Sequence, residues 1–259
     1  MVRVRLVQID SSDTESVADR IHRVLGELPT HAAAADIVVL PELWHIGAFN
    51  LPAVAAHTLT HDDLIFSQIS EIAREHATWI HPGSFAIVHG DKAVNRAMIF
   101  NPAGERVAQY DKQHLFGFAD GERTVMDAGS ELVQIDTPLG ATGLATCYDL
   151  RFPEMFRAHV DAGVETVLMC SGWPTPRMNH WEILTAARAI ENQVFFIACN
   201  GRGTHNGVTL GGGSVVVSPK GEILARATAE DAWIDADVEL SEVAAWRQAF
   251  PVLADRKKF

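Results

Sequence analysis

The stretch GATGLATCYDLRFPEMFRAHVDAGVETVLMC, residues 140–170, decides the fold class. It opens on a run of small and apolar residues, GATGLAT, that reads as a strand. RFPEMFRAHVDAG then reads as a helix, and VETVLMC as a second apolar strand. Strand, helix and strand in such short order is α/β organisation. One residue does not fit simple packing. Cys147 stands where the first strand ends, and Tyr148, Asp149 and Arg151 follow at once, whereas a structural cysteine usually sits inside an apolar run that continues.

Working outward, the same alternation holds on both sides. VRVRLVQI alternates apolar and polar positions as an opening strand, and SSDTESVADRIHRVLGEL follows with Val17, Ile21, Val24, Leu25 and Leu28 at helical spacing and Ser12 or Asp13 as its N-cap. DIVVLPE is a short strand ended by Pro41, and HDDLIFSQISEIAREH is a second amphipathic helix. Strands come next at TWIHPGSFAIVH, KAVNRAMIFN and ERVAQYDK. Beyond residue 170, RMNHWEILTAARAIENQ is a helix, VFFIACN, GGSVVVS, EILARATA and DAWIDADV are strands, and LSEVAAWRQAF is a closing helix.

A turn signal recurs. NPAGE at 101–105 and SPKGE at 218–222 each place Pro first and Gly two residues later between apolar strands, the pattern of a type I turn followed by a left-handed glycine. Each predicts a β-hairpin, and the recurrence suits two sheets of similar build. No Pro/Gly/Ser-rich linker or charge block divides the chain, so residues 1–259 are expected to form one α/β domain.

Composition narrows the function. A net charge of -12 and a pI near 5.4 repel a phosphate backbone, which argues against nucleic acid as a partner. The closing DRKKF, with Lys257 and Lys258, reads as solvated terminal charge. No apolar run reaches the roughly 18 residues of a membrane span, and MVRVRLVQID alternates charge and apolarity instead of building a signal peptide. A cytoplasmic location with no membrane partner is the expectation. The three cysteines are odd in number, far apart and free of any CxxC, against both a disulfide framework and a thiolate zinc site. Cys170 and Cys199 lie in or at the end of apolar runs and read as packed core thiols.

Three segments bring an ionisable residue to the end of an apolar strand: Glu42 in IVVLPELW, Lys112 in VAQYDKQHLF, and Cys147. Taken singly, these residues also read as a helix cap, a surface charge and a strand-end thiol. In layered folds, however, strand ends gather at one mouth, so positions far apart in sequence can meet. A thiol is nucleophilic only as thiolate and needs a base or a cation. Glu42 could be that base, and Lys112 could hold negative charge developing on a carbonyl oxygen. Together the three make an acyl-transfer site.

LPE with Glu42, YDKQHLF with Lys112, CYDLRFPE with Cys147, ARAIENQ at 187–193 and CNGRG at 199–203 together resemble the nitrilase superfamily of carbon–nitrogen hydrolases over essentially the whole chain. The resemblance implies a four-layer α-β-β-α sandwich, homodimerisation through the outer helices, and neither metal nor organic cofactor. It implies Cys147 as nucleophile, Glu42 as general base and acid, and Lys112 with the backbone N–H of Tyr148 as the oxyanion hole. A second glutamate follows the lysine motif in amidase members, and Glu122 in HLFGFADGERTV is the best match. A surface-loop carboxylate is the other reading of Glu122.

Substrate-facing candidates are Arg151, Trp173 and His114. An arginine near the nucleophile can hold a substrate carboxylate bidentately, although Arg151 could equally pair with a structural acid such as Glu154 or Glu191. SGWPTPRMNHW supplies Trp173, Pro174 and Arg177 as a pocket wall. His114, two residues after Lys112, suits packing or positioning better than proton transfer. CYDLRFP, WPTPR and AWRQAFPVLADRKKF look most similar to bacterial omega-amidases, which implies a small-molecule substrate, the side-chain amide of a 2-oxo acid. A broad short-chain aliphatic amidase, an N-carbamoyl hydrolase, and a non-catalytic binding protein that keeps Cys147 as a redox-sensitive thiol are the competing readings. A nitrile is disfavoured, since nitrilases proper carry Cys-Trp-Glu where this chain has CYD. LGGGS at 210–214 lacks the Lys-Ser/Thr of a phosphate loop and leads into a strand. His57 and His61 lack the HExxH context of a zinc site and read as surface histidines.

Overall fold

Val2–Val7 forms β1, Val17–Ala32 α1, Ile37–Val39 β2, Leu51–His57 α2 and Leu64–Glu75 α3. Four strands follow, β3 (Trp79–His81), β4 (Ser84–His89), β5 (Lys92–Phe100) and β6 (Arg106–Asp111), then the short β7 (Met126–Asp127). The second half runs β8 (Gln134–Thr137), β9 (Gly140–Thr146), α4 (Pro153–Asp161), β10 (Thr166–Ser171), α5 (Met178–Asn192) and β11 (Phe195–Asn200). It closes with β12 (Arg202–His205), β13 (Val208–Gly211), β14 (Val215–Val217), β15 (Ile223–Arg226), β16 (Trp233–Val238) and α6 (Ser241–Ala249). This computed structural model describes residues 1–257; Lys258, the end of the basic cluster, lies outside the described residues.

Two sheets carry the fold. The first runs β16-β1-β2-β3-β5-β4, with β6 and β7 also paired to β5; the second runs β15-β14-β11-β10-β9-β8. Parallel strands form the centre of each, β1-β2-β3 in one and β9-β10-β11 in the other. Period-2 alternation splits the first sheet cleanly. Val38, Val94, Met98 and Phe100 face outward onto Val24 and Leu28 of α1 and Ile65, Phe66 and Ile69 of α3. Their neighbours Ile37, Val39, Ala97 and Ile99 join the core shared with the second sheet. Strands β10 and β11 are buried along their whole length, because helices α4 and α5 cover their outer side through Phe156, Trp181 and Ala189. The layers are therefore helix, sheet, sheet, helix, the α/β sandwich of the nitrilase type.

Both turn signals form hairpins, β5-β6 across NPAGE and β14-β15 across SPKGE. Gly104 and Gly221 sit at φ 79° and 88°, and each hairpin carries a register shift beside the turn, at Ile99/Phe100 and Val216/Val217. One such hairpin lies in each sheet. The first helix, by contrast, starts later than its expected cap. Ser16, not Ser12 or Asp13, caps α1 by accepting from the Asp19 amide at 3.1 Å. Ser11 and Asp13 are drawn away because their amides bond Arg202 and Thr204 carbonyls at 3.0 Å, which straps residues 10–13 to β12.

Candidate active site

Glu42, Lys112 and Cys147 leave the ends of β2, β6 and β9, and the two stacked sheets bring those ends together. Glu42 is held from three sides. Its Oε2 accepts from the Gly172 amide at 2.8 Å, and its Oε1 accepts from Asn95 Nδ2 and Lys112 Nζ, each at 2.8 Å. Gly172 is needed at that approach, because a Cβ there would collide with the Ala48 side chain. Lys112 turns its ammonium to a second carboxylate as well, Glu122, at 2.9 Å to both oxygens. Glu122 is buried, not a surface-loop carboxylate, and its Oε2 also takes the Phe116 amide at 2.6 Å.

Cys147 is 7% exposed and adopts φ 48°, a left-handed conformation that lifts the thiol out of the strand direction into the turn Cys147–Arg151. Buried Asp149 fixes this turn. One oxygen accepts from the Thr146 amide at 2.9 Å and the Tyr110 hydroxyl at 2.7 Å, and the other from the His114 amide at 3.0 Å. Tyr148 is the second residue of the turn, where amides lack a partner within the helix.

Electrostatics couple these groups. Burial pushes the Cys147 thiol well above its ordinary value; the Glu42 charge adds to the rise, and Lys112 and the Ser171 hydroxyl oppose it. Cys147 therefore rests as a thiol, and to act as a nucleophile it would need a base. Burial alone would lower the Lys112 ammonium, but Glu122 and Glu42 outweigh it and hold the group well above its usual range. Glu122 itself is pushed up by burial, with Lys112 pulling the other way.

A narrow cleft opens above the thiol, lined at its base by Glu42, Lys112, Glu122 and Cys147. Its walls are Phe49, Phe116, Tyr148, Arg151, Trp173, Pro174 and Arg177. Arg151 pairs with neither suggested acid. Glu191 is taken by Arg188 at 2.8 Å and Glu154 is exposed, while Arg151 lies over the Trp173 ring at 4.7 Å and donates to His180 Nδ1 at 3.2 Å. His114, expected to face substrate, does not line the cleft. Its ring stacks on Phe152 at 3.7 Å and its Nδ1 is tied to Asp149 at 2.7 Å. His57 ends α2 and His61 lies beyond it, both exposed, and Arg96 donates to His61 at 2.8 Å.

Sequence reasoning missed Asn95, Phe49 and Phe116. It also missed the β12-β13 hairpin, which holds the Trp173 wall through the Gly211 amide to the Trp173 carbonyl at 2.9 Å. Its signal was present: Asn206-Gly207, both at positive φ, is the favoured two-residue hairpin turn. In the LGGGS run, Gly213 lies so close to Met178 that a Cβ would meet its Cε at 2.7 Å, a close-packing role beside the cleft.

Strand ends of two stacked sheets converging on one cleft, each delivering a different reactive group, is the build of a carbon–nitrogen hydrolase. The chain belongs to that family: residues 3–248 match the carbon–nitrogen hydrolase family model. It is 40% identical over 263 residues to a 2-oxoglutaramate amidase of Paenarthrobacter nicotinovorans, covering 98% of this chain and 89% of that one. An omega-amidase of Homo sapiens is 30% identical over 268 residues, covering 98% and 95% of the two chains. A CN-hydrolase superfamily protein from Xanthomonas campestris superposes with a TM-score of 0.91 at 27% identity, over 100% of this chain and 98% of its own.

Proposed function

We propose that this hydrolase is an omega-amidase, a single catalytic domain that releases ammonia from the side-chain amide of a small 2-oxo acid. The observation that carries the reading is the buried Glu42–Lys112–Glu122 chain beside the Cys147 thiol, with Arg151 on the wall above paired to no acid among the described residues. The names of the relatives support the same substrate class.

In this mechanism Glu42 takes the thiol proton as Sγ bonds the amide carbon, and the carbonyl π electrons move onto oxygen. Lys112 and the Tyr148 amide hold that oxyanion. The carbon–nitrogen bond then breaks, Glu42 returns the proton to the departing nitrogen, and ammonia leaves a thioester on Cys147. Water attacks the thioester, giving its proton to Glu42; collapse of the second oxyanion breaks the carbon–sulfur bond and frees the acid, and Glu42 returns the proton to Sγ, restoring the thiol and the carboxylate. Glu122 anchors the Lys112 ammonium, Arg151 takes the substrate carboxylate, and Trp173 closes the side wall.

Ammonia release from 2-oxoglutaramate, 2-oxosuccinamate, glutaramate, propionamide and N-carbamoyl-β-alanine, by wild type and Cys147→Ala, tests this reading. Preference for the carboxylate-bearing amides, lost in the variant by at least about a thousandfold, is expected. Best turnover of propionamide would replace the reading with a broad aliphatic amidase, and turnover by Cys147→Ala would remove the mechanism.

A homodimer paired through α5 belongs to the same proposal. Ile183 and Ile190 are 66% and 51% exposed on that helix, too apolar to be left in water as a set with Ile223 and Leu224. Sedimentation equilibrium at micromolar concentration checks it, and a monomer would refute it. No described helix is long and apolar enough to cross a membrane, and the three cysteines are free, as suits a reducing cytoplasm.

A further inference from the structure

We propose that Arg177 is a second guanidinium for the far end of the substrate, and that it reads the 2-oxo group while Arg151 holds the carboxylate. This inference rests on the omega-amidase reading and adds the residue that would discriminate a 2-oxo acid from a plain one.

Arg177 lines the same cleft as Cys147 and Arg151. Most arginines of this acidic chain are matched to acids, as Arg96 is to Asp111 at 2.6 Å and Arg5 to Asp235 at 2.6 Å. Among the described residues, neither Arg151 nor Arg177 has a carboxylate within ion-pair distance. Each is instead laid on an aromatic face, Arg151 on Trp173 at 4.7 Å and Arg177 on Phe116 at 5.3 Å. Stacking occupies the guanidinium face; Arg151 gives one N–H to His180 Nδ1 and keeps its others for a planar anion, as Arg177 keeps its edge.

The backbone fixes this placement. The Arg177 amide donates to the Pro174 carbonyl at 3.0 Å, and its own carbonyl accepts from Trp173 Nε1 at 2.8 Å. One short loop thus sets both the wall and the cation. Both guanidiniums line the one cleft; burial lowers the Arg151 pKa, Tyr148 opposes that fall and the Arg177 charge adds to it. Like charges held together in a cleft call for an anion between them.

Formal charge agrees. Glu42, Glu122 and Lys112 leave the base of the cleft at a net negative unit, and the two arginines turn the whole site positive by one. A monoanionic amide neutralises it, and a neutral aliphatic amide does not. One guanidinium satisfies a simple carboxylate bidentately. A 2-oxo carboxylate presents a third oxygen beside those two, which a second donor fork can reach.

The test is kcat/KM for 2-oxoglutaramate, glutaramate and butyramide with wild type, Arg177→Met and Arg177→Lys. Arg177→Met is expected to lower kcat/KM for 2-oxoglutaramate by about 10- to 100-fold, chiefly through KM, the size of losing a charged hydrogen bond. The ratio of 2-oxoglutaramate to glutaramate should shrink at least about tenfold, and Arg177→Lys should restore part of it. Butyramide turnover reports whether the variant retains a working catalytic centre. An unchanged ratio in Arg177→Met overturns the proposal, as does a parallel fall on all three substrates. Wild type with no preference for carboxylate-bearing amides over butyramide would sink the omega-amidase reading and this one with it. A wild-type preference that Arg177→Met leaves intact sinks only the role of Arg177.

Discussion

Lys112, 1% exposed between two carboxylates, is the residue on which the site's charge balance turns. An ammonium this deep is tolerable only because both neighbours are anionic, and the converse holds for them. Lys112→Met keeps the apolar stem and removes the charge, which leaves Glu42 and Glu122 facing each other in a buried site. The expected loss is about 3–5 kcal/mol at pH 7.5, the range for breaking a buried pair. It should shrink towards pH 5 as Glu122, already raised by burial, takes up a proton. Urea unfolding at both pH values measures this, and a loss below about 1 kcal/mol at pH 7.5 would show that the ammonium does not hold the two acids. Glu42, Lys112 and Cys147 were legible in the sequence because each breaks an apolar run where a strand must end. Asn95 and Ser171 were not, since a polar residue within or at the close of a buried strand carries no local sign that the group beside it on another strand of its own sheet is a carboxylate or a thiol.

At the scale of elements, the turn Cys147–Arg151 converts the end of β9 into a platform for the thiol. Its positive φ at a non-glycine residue costs about 1–2 kcal/mol, and the four hydrogen bonds accepted by Asp149 offset that strain. Asp149→Ala should therefore cost about 3–5 kcal/mol in chemical denaturation, as for a buried charge whose partners are orphaned. Ammonia release should fall with it even where the variant remains folded, because the turn no longer holds the thiol over Glu42. Full activity in a folded Asp149→Ala would mean that Cys147 is positioned by the strand alone. The two Pro-x-Gly hairpins were readable because turn chemistry is local. The start of α1 was misread for the opposite reason: Ser12 and Asp13 are good caps locally, but β12, nearly two hundred residues away in sequence, claims their segment. Only a long-range pairing decides between the two, and the missed Asn-Gly hairpin is the element that supplies it.

For the whole molecule, buried titratable groups set the pH range in which the sandwich is stable. Burial raises all three thiols, Cys170 to about 12, with the nearby Glu42 charge adding to that rise. A raised folded-state value means stability that is present below the ordinary thiol pKa and lost as pH climbs towards the folded one, so the alkaline limb should begin near pH 9. The acid limb has the opposite sign. Burial pushes His45 down to about 3 and His81 down to about 4, so both stay neutral in the fold while the unfolded chain protonates them below about 6.5. Their contribution is present above that value and lost as pH falls, at about 1.4 kcal/mol per pH unit for each histidine. His45 isolates the effect, because neither ring nitrogen has a hydrogen-bond partner among the described residues and its ring is packed against Phe85 at 5.1 Å. His45→Leu removes the proton site without removing a hydrogen bond. Between pH 6 and 4.5 its stability should fall less steeply than that of wild type, by about 1.4 kcal/mol per pH unit. Unfolding curves taken at half-unit intervals give both slopes directly, and parallel slopes would mean that His45 takes up its proton without unfolding the sheets around it.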